Sequence, residues 1–287
     1  MTIMVTETKS TNNDSSQDAP INPSFPRGKN ILAVASGKGG VGKTFFSITL
    51  AQALTRMGKK VCLFDGDLGL ANVDVQLGLM PKRDLNDVIR GRLSLDKVVQ
   101  RYEDGGFDII AGRSGQASLS ALPSQRLAML RDQLIELSDS YDVIVIDLGA
   151  GVDRTVRMFS ASATRTLLVT TDEPTSLTDA YAFIKLGAAA GMSKNVSIVV
   201  NMASSTTEGE KTYKTLLKAC ENFLRLSPPL AGLVRQDPKV KETIRHQTPL
   251  LTRSPNSDAA GDVEKIAKIA FAEMQDEART MAKVARG

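Results

Sequence analysis

Apolar residues along the chain gather into short unbroken runs: Ile31 to Ala35, Val61 to Phe64, Phe107 to Ala111, Val143 to Ile146, Thr166 to Thr170, Val196 to Val200 and Leu230 to Val234. Runs of this length, rich in β-branched residues, read as strands covered on both faces. Between most of them the apolar spacing lengthens to a helical period. Phe46, Leu50, Ala53 and Leu54 mark a helix within Phe45 to Gly58, with the glycine as its stop, and Gln125 to Leu137 repeats the pattern. The alternation predicts an α/β fold built from βα units, with a mainly parallel twisted sheet and helices on both faces.

The pattern also sets the limits of the folded part. Residues 1–28 are rich in Ser, Thr, Asn, Asp and Pro and poor in bulky apolar side chains, so they read as a disordered tail that cannot offset its ordering entropy. One domain is expected over residues 29–272, followed by a C-terminal helical tail at 273–287. With 42% hydrophobic and 24% charged residues among 287, the chain has material for one large core. The balance of 36 Lys+Arg against 32 Asp+Glu, a net +4, gives no dense basic face, and DNA is a disfavoured partner. The N-terminus carries no secretory pattern and no stretch approaches the ~20 apolar residues of a spanning helix, so a cytoplasmic protein is expected.

The most informative segment follows the first strand and opens the first helix. Gly37-Lys38-Gly39-Gly40-Val41-Gly42-Lys43-Thr44 has the spacing G-x-x-x-x-G-K-T of a P-loop, and with Phe45 it forms the expected nucleotide-binding run. Glycines let successive N–H groups turn inward on phosphate, and the helix N-terminus adds partial positive charge. Lys43 supplies a full charge, and the Thr44 hydroxyl is a Mg²⁺ ligand in such loops. The second lysine, Lys38, is placed to project away from its own phosphate cradle.

With Lys38 in register, the loop resembles the deviant Walker A class of P-loop NTPases, which includes the MinD and ParA ATPases. That resemblance implies an ATP-dependent homodimer in which the equivalent lysine reaches the partner's nucleotide and aids a slow, regulatory hydrolysis of ATP. Asp65 and Asp67 close the second strand run, and Asp147, followed by Gly149, Ala150 and Gly151, closes the fourth. Both sets sit at strand carboxyl ends, where open α/β sheets bind ligands. By resemblance Asp147 is the Mg²⁺-holding carboxylate, with Thr44 and Asp65 beside it, and Asp67 positions the attacking water. Asn201, Val234, Arg235 and Asp237 match adenine-binding positions of the family, which often has Pro where Arg235 stands. No N-K-x-D guanine signature follows Asn201, so ATP with Mg²⁺ is the expected cofactor.

Other segments resemble the flagellar number regulators, the FlhG/FleN branch of the MinD-like ATPases. They are Asp67-Leu68-Gly69-Leu70-Ala71-Asn72-Val73-Asp74, Asp84-Leu85-Asn86-Asp87-Val88-Ile89 and Glu173-Pro174-Thr175-Ser176-Leu177-Thr178-Asp179-Ala180-Tyr181, with Pro255-Asn256-Ser257 near the end. The resemblance implies a flagellar regulatory or assembly protein as partner. A DNA-positioning ATPase of ParA type is the alternative. From Asp258 onward, Val263, Ile266, Ala270, Met274, Met281 and Val284 form a stripe at helical spacing. It fits either a helix docked on the domain or an amphipathic anchor on the inner face of the cell membrane.

The remaining chemistry is sparse. Cys62 and Cys220 form no CxxC pair and read as buried structural thiols, wrongly placed for an iron-sulfur cluster. His246, the single histidine, rules out a multi-histidine metal site and reads as a surface or helix-end residue. Met57, Met129 and Met158 read as core filler.

Overall fold

The computed structural model describes residues 26–67, 72–112, 122–189 and 195–284. Most of the N-terminal tail, residues 1–25, and the motif residues Leu68 to Ala71 lie outside these. Each apolar run is a strand. In chain order the elements are β1 (Ile31–Ser36), α1 (Lys43–Arg56), β2 (Val61–Gly66), α2 (Val73–Leu77), α3 (Leu85–Ile89), a 3-10 turn at Leu95–Val98, β3 (Gln100–Tyr102) and β4 (Phe107–Ile110). Then come α4 (Ser124–Ser138), β5 (Val143–Ala150), α5 (Arg154–Ser162), β6 (Arg165–Thr170), α6 (Pro174–Ala189), β7 (Val196–Ala203) and α7 (Thr206–Leu224). The chain finishes with β8 (Leu230–Arg235), α8 (Pro238–Arg245), α9 (Leu250–Arg253) and α10 (Asp258–Val284).

The strands form one sheet in the order β3-β4-β2-β5-β1-β6-β7-β8. All neighbours are parallel except β3, which pairs antiparallel with β4 at the edge. Successive side chains of a strand point to opposite faces, and the sheet buries both. Leu32 and Val34 of β1 join a core with α1 and α10, whereas Ile31, Ala33 and Ala35 join a second core with α4, α5, α6 and α7. β1 lies between β5 and β6; the chain passes from β1 to β2 in one half of the sheet and later crosses β1, from β5 to β6, into the other. A crevice opens at the carboxyl ends of such a switch point.

The C-terminal stripe is used inside the domain. Val263, Ile266, Ala270 and Met274 are all buried, packed in the same core as α1 and β8, and Val263, Ile266 and Met274 each contribute about 1.5–3 kcal/mol by leaving water. The docking alternative therefore accounts for the stripe as far as Met274, and those residues are withdrawn from any lipid surface. α10 runs unbroken through residues 272 and 273. No helix among the described residues is long and apolar enough to cross a membrane.

Arg27 and Gly28, assigned to the tail, are bound to the domain: the Arg27 guanidinium donates to the carbonyls of Ala163 and Thr164, and Gly28 N–H donates to Ser162 O at 2.9 Å. Met57 and Met158 pack against the cores, but Met129 is exposed, because α4 buries Leu127, Leu130 and Leu134 and position 129 falls on the opposite side of that stripe. Both cysteines are buried and free, and burial pushes the Cys220 thiol up to about 11. His246 is exposed at the end of α8.

Candidate functional site

α1 begins without a side-chain cap: its N-cap is Gly42, at φ +83°, with no side-chain hydrogen bond to the first turn. α2, α4 and α9 share that lack, whereas α3, α5, α7 and α8 are capped by Asp84, Asp153, Ser205 and Asp237. The first N–H groups of α1 are thus left to a ligand, and together with the helix dipole they favour an anion. Gly42 is required twice over. Its backbone is left-handed, and any Cβ would meet the Asn201 amide. Gly37 is constrained by packing, since a Cβ there would run into the Asp179 backbone of α6.

This loop floors a cleft of about 550 Å³. The cleft is lined by Lys38, Gly39, Gly40, Gly42, Lys43, Thr44 and Asp67, and by Asn201, Met202, Val234, Arg235, Gln236, Asp237, Val240, Lys241 and Ile244. The fold therefore brings both groups of sequence-selected residues to one cavity. Phe45 also lines it, whereas Val41 is buried behind the loop.

Below the glycine-rich loop, Lys43 and Asp147 are buried together, with Nζ 3.0 Å from Oδ1. The Ser47 hydroxyl donates to the same oxygen at 2.8 Å, a contact the sequence reading missed. Asp65 faces Asp147 in the β2/β5 register and accepts the Asp67 N–H at 3.2 Å through Oδ1. Burial first, and the neighbouring Asp147 second, push the Asp65 carboxyl well above the usual carboxylate range. Asp65 Oδ2 and Asp147 Oδ2 are both buried with no hydrogen-bond partner among the described residues. Paired oxygens of this kind are what a hard cation would satisfy.

Lys38 lies on the rim. Its ammonium binds the Glu173 carboxylate and the Thr175 hydroxyl, the latter at 2.8 Å, so it points to the start of α6. Glu173 and Thr175 had been noticed as a motif, but nothing in their spacing announced this contact.

Asn201 Nδ2 donates to Val41 O at 2.8 Å and braces the loop. Asp237 caps α8 by accepting Lys239 N–H at 2.8 Å, and its other oxygen accepts the Ala259 N–H of α10 at 3.3 Å. Arg235 is held by Asp262, Nε to Oδ2 at 2.7 Å and Nη2 to Oδ1 at 2.9 Å, and by Asp258. No sequence signal tied α10 to this loop.

The geometry agrees with what comparison finds. The family model described as the CobQ/CobB/MinD/ParA nucleotide binding domain matches residues 32–250. The chain belongs to this family. It is 41% identical over 230 residues to the antiactivator FleN of Pseudomonas aeruginosa, covering 80% of this chain and 82% of that one. With the flagellum site-determining protein YlxH of Helicobacter pylori it shares 32% identity over 249 residues, 85% of this chain and 83% of YlxH. The septum site-determining protein MinD of Pyrococcus horikoshii, solved complexed with Mg-ADP, superposes with a TM-score of 0.67 at 25% identity, covering 85% of this chain and 95% of MinD. The resemblance to MinD/ParA-type ATPases of the FlhG/FleN branch is thereby borne out. This member of the CobQ/CobB/MinD/ParA family is an ATP hydrolase with a mainly parallel P-loop NTPase fold.

Proposed function

We propose that the chain is an ATP-dependent dimerisation switch that limits flagellar number or placement by engaging a flagellar regulatory or assembly protein in one nucleotide state. The observation that carries the switch is the position of Lys38. It stands on the phosphate loop, yet its ammonium is bonded outward to Glu173 and Thr175, which leaves Lys43 to serve the chain's own phosphates. The flagellar part of the reading rests on the likeness to FleN and YlxH.

In this reading the uncapped start of α1 and Lys43 bind the β- and γ-phosphates. Asp147 and Asp65, with the Thr44 hydroxyl, hold Mg²⁺, which neutralises charge on those phosphates. Asp67 orients the attacking water from the rim, and Lys38 crosses to the partner's nucleotide to stabilise charge as it develops. Asn201, Val234, Arg235 and Asp237 border the adenine.

Light scattering tests the switch. The protein is expected to be monomeric with ADP and dimeric with a slowly hydrolysed ATP analogue; Lys38→Ala stays monomeric with both, and Asp67→Ala accumulates dimers with ATP. An unchanged ATP dimer in Lys38→Ala would refute the shared site. Flagella counted per cell in a strain lacking the protein test the second half, and an unchanged count overturns it.

A further inference from the structure

Both hydrogen-bond donors that meet the Asp147 carboxylate fall on one of its oxygens. Lys43 Nζ lies 3.0 Å from Oδ1 and the Ser47 hydroxyl 2.8 Å from the same atom, while Oδ2 is buried with no hydrogen-bond partner among the described residues. Two donors on Oδ1 hold the carboxylate against rotation, so Oδ2 keeps one place. The two donors differ in what else they can serve. Lys43 lines the cleft and has three N–H groups to share with a ligand. Ser47 is fully buried, one turn further along α1, and is not among the residues lining the cleft. Its single proton has two acceptors in reach, Asp147 Oδ1 and, at 3.0 Å, Lys43 O. The carboxylate oxygen is the closer of the two and carries charge, so it is the stronger acceptor.

We propose that Ser47 is a positioning residue for the cation used in hydrolysis: it holds Asp147 from the side that no ligand reaches, and keeps the carboxylate in place when Lys43 turns its donors to phosphate. The inference rests on the Mg²⁺ reading above and gives that carboxylate its support. Thr44, three residues earlier, lines the cleft and is a direct ligand in that reading, whereas Ser47 acts only through Asp147. Partners of this kind, one step behind a metal ligand, fix its orientation and tune its affinity. Thr49 supplies a control. Its buried hydroxyl bonds Phe45 O at 2.9 Å, the same backward reach along α1 that joins Ser47 to Lys43 O.

Calorimetric titration of the whole chain with ADP, in EDTA and over a series of Mg²⁺ concentrations, tests it. Ser47→Ala is expected to bind ADP in EDTA as the wild type does, and to need roughly ten- to a hundredfold more Mg²⁺ for half of the metal-dependent gain in affinity. Ser47→Cys keeps a side chain of similar size with a weaker donor, and shifts the same way. Thr49→Val removes a buried hydroxyl from the same helix and leaves the Mg²⁺ midpoint in place. A wild-type midpoint in both Ser47 variants, or ADP affinity lost equally with and without Mg²⁺, overturns the positioning role and leaves the nucleotide site standing. An equal shift in Thr49→Val overturns it as well, since loosening of α1 would then account for both. Wild-type protein whose ADP affinity is indifferent to Mg²⁺ overturns the metal reading itself, and the role of Ser47 with it.

Discussion

The Lys43 ammonium lies 3.0 Å from Asp147 Oδ1 with both side chains buried, so the lysine of the glycine-rich loop has a counter-ion inside the fold. Removing one member of a buried pair leaves the other charge uncompensated, at a cost of about 3–5 kcal/mol. Asp147→Asn is expected to lower the urea midpoint accordingly. Lys43→Ala lowers it as well and also abolishes ADP binding. An Asp147→Asn protein with the wild-type midpoint would mean that the pair contributes nothing.

Asp65 gives a pH dependence of unusual sign. Its folded pKa is raised well above the ordinary 3.8 by burial and by Asp147, so the folded chain keeps a proton that the unfolded chain has released. That contribution is complete below the unfolded value and is lost as pH rises through the raised one. In the absence of Mg²⁺ and nucleotide, Asp65→Asn is therefore expected to gain stability relative to wild type as pH rises from about 4 to about 8. Urea midpoints of both proteins at the two pH values check it, and a constant difference would show that Asp65 is ionised throughout.

Gly42→Ala puts a Cβ on a residue at φ +83° and against the Asn201 amide. The left-handed backbone alone costs about 1–2 kcal/mol, and moving Asn201 breaks its bond to Val41 O. ADP affinity is expected to fall roughly tenfold or more while circular dichroism stays native. Undiminished ADP affinity would show that the loop tolerates a different geometry.

Ile266 packs beneath Gly232 of β8 and is buried. Ile266→Ala is expected to cost about 2–5 kcal/mol in chemical unfolding. A variant of wild-type stability that no longer sediments with lipid vesicles would reassign α10 to the membrane.

The central strands could be read from sequence because a strand covered on both faces needs no alternation, and Ile31 to Ala35 or Val143 to Ile146 has no other comfortable place. β3 could not: Gln100–Tyr102 is three residues long, sits at an edge and buries only Tyr102. The phosphate loop and the carboxylates Asp65, Asp67 and Asp147 were legible because chemistry and position coincide at strand ends. The contacts of Lys38 with Glu173 and of Arg235 with Asp262 were not. Each joins residues distant in sequence through the packing of whole helices, and no local period encodes such a meeting.

The order in which the chain is made gives the docking of α10 a further meaning. β1, the phosphate loop and α1 leave the ribosome early, yet α1 packs against the last helix, and that same helix anchors the loop containing Arg235 and Asp237. A nascent or truncated chain that stops before Asp258 has the glycine-rich loop and α1 without the helix that backs them and that holds Arg235 and Asp237. The cleft's loops are thus completed only when the final segment docks, and the proposed switch would be closed to incomplete copies.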